Sequence, residues 1–183
     1  MTRLITGLMG QMHMSRTATR TPKPPTSEPG DGSKDARITD PDRRRTTALH
    51  EAGHTIVALV LGLRFTRVEI DADTDNGRVW HPAQAQCSIA QRCIFRLAGA
   101  AAEAVASGWD VLELCASDCV DDWQAVLVAL REDRTRQLRL NVLAATSRAL
   151  VAEHWREVEV LAQALLERGH LTYTDVTAIL TSR

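Results

Sequence analysis

Five residues, His50-Glu51-Ala52-Gly53-His54, constrain this chain more than any other feature. On an α-helix, residues four apart share a face, so His50 and His54 aim two imidazoles at one point, with Glu51 one residue round from the first. That spacing is the geometry of a zinc site with a general base beside it. Zinc accepts neutral imidazole nitrogens in a roughly tetrahedral shell, and a catalytic site keeps one position open for water. The ion lowers the pKa of that water towards neutrality, so that a carboxylate such as Glu51 can take its proton as it attacks a carbonyl. The flanking pattern predicts a helix: Leu49, Ile56, Val57, Val60 and Leu61 form an apolar stripe, and Gly62 supplies a C-terminal stop. Two solvent-facing histidines beside a glutamate would spell the same five letters, so a metal site also requires a third ligand from elsewhere.

The 183 residues allow one domain and a tail. Hydrophobic residues make up 44% and aromatics 4%, which predicts a core of Leu, Val and Ala. The net charge of −1 is unevenly spread: residues 1–45 carry nine Lys or Arg against five Asp or Glu, and the remainder thirteen against eighteen. The folded part is therefore mildly acidic, which argues against a nucleic-acid partner. No stretch approaches the roughly twenty apolar residues that cross a bilayer, so no membrane partner is expected. The first ten residues have only a short, broken apolar run with no clear cleavage site after it, and the expected location is cytoplasmic. Cys87, Cys93, Cys115 and Cys119 lack the Cys-x-x-Cys spacing of a structural zinc site. A second metal or a redox pair is conceivable for Cys115 and Cys119, four apart; buried free thiols are the expectation.

Residues 15–37 are rich in Thr, Pro, Ser, Gly and charge, too polar to offset their ordering entropy, and a disordered basic tail is expected over residues 1–38. Thr39-Asp40-Pro41-Asp42 reads as a helix start. After Gly62, residues 65–70 alternate like a half-buried strand, 71–77 supply turn residues and 78–81 form the return strand. The exposed edge of that hairpin is suited to receive an extended peptide by strand addition. Helices are expected over 88–107, from Ser117 or Asp118 through Leu130, and over 135–168 with breaks near Asp133 and His154. Residues 109–115 read as a connector. A last short helix follows Thr172-Tyr173-Thr174-Asp175. The expected fold is mainly α, over residues 39–183, with a small β-hairpin or sheet beside the His-Glu-x-x-His helix.

Two places offer the missing ligand. Glu103 lies on the helix over 88–107, where the small residues of Ala98-Gly99-Ala100-Ala101-Ala102-Glu103-Ala104 allow close approach of another helix, and Asp118, Asp121 and Asp122 cluster at the start of the next. Plain helix capping accounts for Asp118 but does not require three acids in five positions.

At this point several blocks fall into a familiar order. Thr47-Ala48-Leu49-His50-Glu51-Ala52-Gly53-His54, the hairpin, Leu97-Ala98-Gly99-Ala100-Ala101-Ala102-Glu103 and Asp121-Asp122-Trp123-Gln124-Ala125 together resemble the peptidase domain of the FtsH-type ATP-dependent zinc metalloproteases. Leu165-Leu166-Glu167-Arg168 before a Thr-rich turn extends the resemblance, which covers roughly residues 40–180. In that family the two motif histidines bind zinc, the glutamate is the base, and the third ligand is an Asp followed by an apolar residue at the head of a helix. The resemblance therefore implies Zn²⁺ held by His50, His54 and Asp122, with Glu51 as the catalytic base. Asp121 and Asp118 remain the alternatives by a shift of register. Glu103 matches an acidic residue near the family's site, which implies a supporting role and leaves direct ligation open.

These 183 residues contain neither the family's ATPase domain nor its membrane anchor, and the glycine-rich segment after the hairpin is shortened. ATP-driven threading is thus not implied. The function implied is a zinc metalloendopeptidase acting on flexible or unfolded polypeptides. The family's ring assembly raises a homo-oligomer, and the lack of an ATPase raises a separate delivery partner. The alternative is a metal-stabilised interaction or regulatory module with a peptidase-like fold and no turnover.

Overall fold

A computed structural model of the chain describes residues 41–80, 87–117 and 119–182. The basic tail over residues 1–38, the start at Thr39 and Asp40, the strand end at His81 and the Asp118 alternative lie outside the described residues. The fold is mainly helical, with a small three-stranded antiparallel sheet. In chain order the elements are α1 (Pro41–Val60), β1 (Arg67–Ile70), β2 (Gly77–Trp80), α2 (Ile89–Ser107), α3 (Val111–Ser117), α4 (Val120–Ala129), α5 (Arg136–Glu153), α6 (Trp155–Arg168), β3 (His170–Thr172) and α7 (Tyr173–Thr181).

The helix carrying the two histidines is the hub. Its inner face, with Ala48, Ala52, Ile56 and Val57 buried, packs against α2 and α6, and α2 packs in turn against α5. The closest approach is at Gly53, where a Cβ would lie 2.6 Å from the Ala98 carbonyl oxygen and 2.7 Å from the Ala102 Cβ. The run of small residues on α2 thus serves the purpose expected of it. Leu97, Val158, Leu161 and Leu165 complete the centre of the core with no exposure, each stabilising the fold by about 1.5–3 kcal/mol through removal of its surface from water.

The ends of α2 and α7 follow from local chemistry. Ser88 and Gln91 form a reciprocal capping box at the start of α2, and Gly108 closes it at φ 81°. Thr172 and Asp175 repeat the box at α7. Breaks fall near Asp133 and at His154, as the periodicity predicts. Residues expected as a connector instead form α3, because the Asp110 carboxylate accepts the backbone N–H groups of Leu112 (2.8 Å) and Glu113 (3.3 Å) and so starts a helix.

The hairpin is present but is not the whole sheet. Strand order is β2-β1-β3, with Val68 opposite Val79 on one side and Leu171 on the other. β1 is therefore central, and of the hairpin expected to offer an edge only β2 is an outer strand. Arg44 on α1 ties the hairpin down through an ion pair of 2.9 Å to Asp75, a buried residue in the turn.

Candidate metal centre

His50 and His54 stand one turn apart on α1 and converge with Asp122, from the first turn of α4. The two Nε2 atoms are 3.0 Å apart. Asp122 Oδ2 lies 3.1 Å from His54 Nε2 and 3.6 Å from His50 Nε2. A point about 1.9 Å from all three atoms exists at the centre of that triangle, a spacing that fits the usual zinc–nitrogen distance of about 2.0–2.1 Å. These donors are an N/N/O set suited to zinc and to other divalent transition metals.

Both rings are held by their other nitrogen. His50 Nδ1 is 2.6 Å from Glu103 Oε1 on α2, and His54 Nδ1 donates to the Phe95 carbonyl at 2.7 Å. A Nδ1–H fixed in this way leaves the Nε2 lone pair for a metal, the arrangement that orients metal-binding histidines. Asp122 is steadied likewise: its Oδ1 accepts from Arg96 Nη1 at 2.8 Å, leaving Oδ2 to the site. Room for the His50 ring comes from Gly99, since any Cβ there would overlap the imidazole.

Glu51 is buried beneath β2. A Cβ on Gly77 would stand 2.6 Å from the Glu51 Cδ, so only a glycine lets the strand lie this close to the carboxyl group. Burial raises the pKa of Glu51 above the ordinary carboxylate value, against the pull of His54 and His50. For His50 without an ion, burial opposes a charge, yet Asp122, Cys119 and Glu103 outweigh it and the ring's pKa is raised well above normal. Asp122 is held well below the usual carboxylate range, because His54, His50 and Arg96 overcome the cost of its burial.

A cleft of about 560 Å³ opens over the triad and is lined also by Glu51, Gly77 and Val79. Asp71 N bonds to Asn76 O across the turn (2.8 Å), and antiparallel alternation from there pairs Glu69 with Arg78. The N–H and C=O groups of Gly77 and Val79 consequently face off the open edge of β2.

Of the carboxylates considered as the third ligand, Asp122 stands in the triangle and Glu103 behind His50. Asp121 lines the cleft outside the gathered donor atoms. Sequence reasoning passed over Arg96 and the Phe95 carbonyl, read Gly77 as a turn residue and assigned Gly99 to helix packing alone. No periodicity marks Arg96, and a backbone acceptor leaves no trace in residue types. No helix among the described residues is long and apolar enough to cross a membrane. Comparison with models of known protein families finds no match, and comparison with curated proteins finds none either.

Proposed function

We propose that this chain is a zinc-dependent metallopeptidase, as its resemblance to the FtsH-type peptidase domain implies, with His50, His54 and Asp122 holding the ion and Glu51 serving as the base. The observation that carries the proposal is the triangle of two Nε2 atoms and one carboxylate oxygen, at 3.0, 3.1 and 3.6 Å, opening onto the cleft that Glu51 lines. A zinc ion held there supplies Lewis acidity, which polarises a carbonyl oxygen and makes water a better nucleophile near neutral pH.

The remaining work belongs to the chain. The outward-facing backbone groups of Gly77 and Val79 offer an extended peptide a strand to pair with, and so bring its carbonyl group past Glu51. Glu51 takes the proton of the attacking water and delivers it to the amine nitrogen as the peptide bond breaks. Its carboxyl group lines the cleft beside both histidines, within reach of both halves of that transfer. Glu103, the Phe95 carbonyl and Arg96 keep the two rings and Asp122 in place. A second cavity of about 540 Å³ shares His50, Glu51 and Gly77 with the first. Polypeptide can therefore run to both sides of the centre, which favours internal cleavage of flexible or unfolded chains, brought by diffusion, a second copy or a separate partner.

The test is Glu51→Gln. This variant is expected to bind as much zinc as the wild type and to lose peptide hydrolysis by at least the roughly 10²–10⁴-fold that general-base catalysis contributes. Undiminished hydrolysis by that variant would overturn the proposal.

A further inference from the structure

His50 has two ring nitrogens, and the peptidase proposal gives only one of them to a metal. Behind the ring, its Nδ1 meets two groups from separate elements: Glu103 Oε1 of α2 at 2.6 Å, and Cys119 Sγ, just before α4, at 3.9 Å. Sγ and Oε1 are 3.8 Å apart. These three donors form a second compact set beside the first. A point about 2.0 Å from all three atoms exists at the centre of this triangle too, close to the usual zinc distances of about 2.0–2.3 Å for O, N and S donors. The set can be reached, because the cavity of about 540 Å³ is lined by Glu103 and Cys119.

We infer that a second, thiophilic divalent ion binds His50 Nδ1, Glu103 and Cys119, with the His50 ring bridging it to the ion held by His50 Nε2, His54 and Asp122. Charge supports the pair. Two divalent ions meet four anionic donors: the carboxylates of Asp122 and Glu103, the Cys119 thiolate and the bridging ring with both nitrogens deprotonated. The charges of Arg96 and Glu51 at the same centre offset one another. Sulphur in the second set selects zinc- or cadmium-like ions over magnesium or calcium. An ion entering there has to displace the proton shared between Nδ1 and Glu103, whereas the first set already presents its Nε2 atoms; the second set therefore fills later. Its filling also takes Glu103 from its role of orienting His50, so excess metal acts back on the first centre through a single ring.

The test uses the full chain, stripped of metal with a chelator, kept reduced and titrated with cadmium. Ions bound per chain are counted while the thiolate-to-cadmium charge-transfer absorption is followed in the ultraviolet. Two ions per chain are expected in the wild type, with the absorption rising in the second step. Cys119→Ser and Cys119→Ala should each bind one ion without the band. His54→Ala should bind one ion with it, and Cys87→Ser should behave as the wild type. One ion per chain without the band, or a band that survives both Cys119 substitutions, overturns the inference. Neither readout involves peptide, so an inactive protein with two ions refutes only the peptidase proposal, and an active one with a single ion refutes only the second set.

Discussion

Replacing Gly99 by alanine adds one methyl group against the His50 ring, and the structure says what it must do. The new Cβ would close more than about 1 Å inside the ordinary 3.5–4.0 Å carbon contact, against Nε2, Cδ2 and Cε1 together. His50 has no slack, since Glu103 holds its far side at 2.6 Å. Relief requires the ring to swing, and a swing of that size exceeds several-fold the roughly 0.2 Å that metal–ligand distances tolerate. Overpacking costs about 1–3 kcal/mol, while alanine regains about 1 kcal/mol of helix propensity, so the metal-free protein should lose no more than about 2 kcal/mol. Metal affinity should fall by at least the 10–100-fold seen when groups outside the ligand set are removed. With zinc at about 100 times the wild-type Kd, the wild type gains about 2.7 kcal/mol, or about 5–11 °C in Tm. A variant bound 100-fold more weakly gains about 0.4 kcal/mol, or about 1–2 °C. Thermal melts with and without zinc measure both increments. An equal zinc-dependent rise in Gly99→Ala would refute the crowded position assigned to His50.

The other expectations concern the same neighbourhood. Glu103→Gln should weaken zinc binding by about 10–100-fold, read by competition with a chromogenic chelator, because the amide holds the ring less firmly than a carboxylate; unchanged affinity would remove Glu103 from the site. The raised pKa of His50 makes its contribution to metal-free stability full below the ordinary histidine value of about 6.5 and lost as pH rises through the higher folded value. Metal needs the unprotonated ring, so the zinc-dependent rise in Tm should grow over that same ascent, and a constant increment would contradict it. Burial raises the pKa of Glu51, so its charge weighs against the metal-free fold once pH exceeds the ordinary carboxylate value and rises through the folded one. Metal-free Glu51→Gln should then melt higher than the wild type at neutral pH and level with it near pH 4; a lower melt at neutral pH would show that the carboxylate is stabilising. In the core, Leu165→Ala should cost about 2–5 kcal/mol in urea denaturation, since the side chain is fully enclosed.

How far the sequence could be read depended on the range of each interaction. The two histidines and Glu51 share one helix, and helical geometry is local, so their spacing already encoded their convergence. Asp122 approaches from α4, across 68 residues, and periodicity says nothing of that approach; only the family resemblance singled it out from Asp118 and Asp121. Glu103 stood out as a carboxylate among alanines, but its position behind His50 rather than beside His54 depends on how α1 and α2 cross. β3 spans three residues, too few to show alternation, and with it went the central position of β1. Gly99 was legible as a small residue for helix packing, whereas what it clears is a ring on the neighbouring helix. Cys119 read as a buried thiol, and it is buried; that it meets Glu103 of α2 and His50 of α1 is a contact made only in space, which leaves no mark in the one-dimensional pattern.

The pairing of β1 with β3 also sets an order of events during synthesis. Glu69 and its partner His170 are about a hundred residues apart, so at the ordinary 5–20 residues per second the ribosome takes about 5–20 s to pass from one to the other. Every residue of the candidate centre, Asp122 included, has been made well before β3 exists. Until then the strand that backs β2 lacks one neighbour, and the wall over Glu51 rests on a two-stranded hairpin, which is marginal in water by itself. A growing chain thus carries its metal-binding groups before it owns a finished cleft, and the three residues of β3 are the ones that complete it.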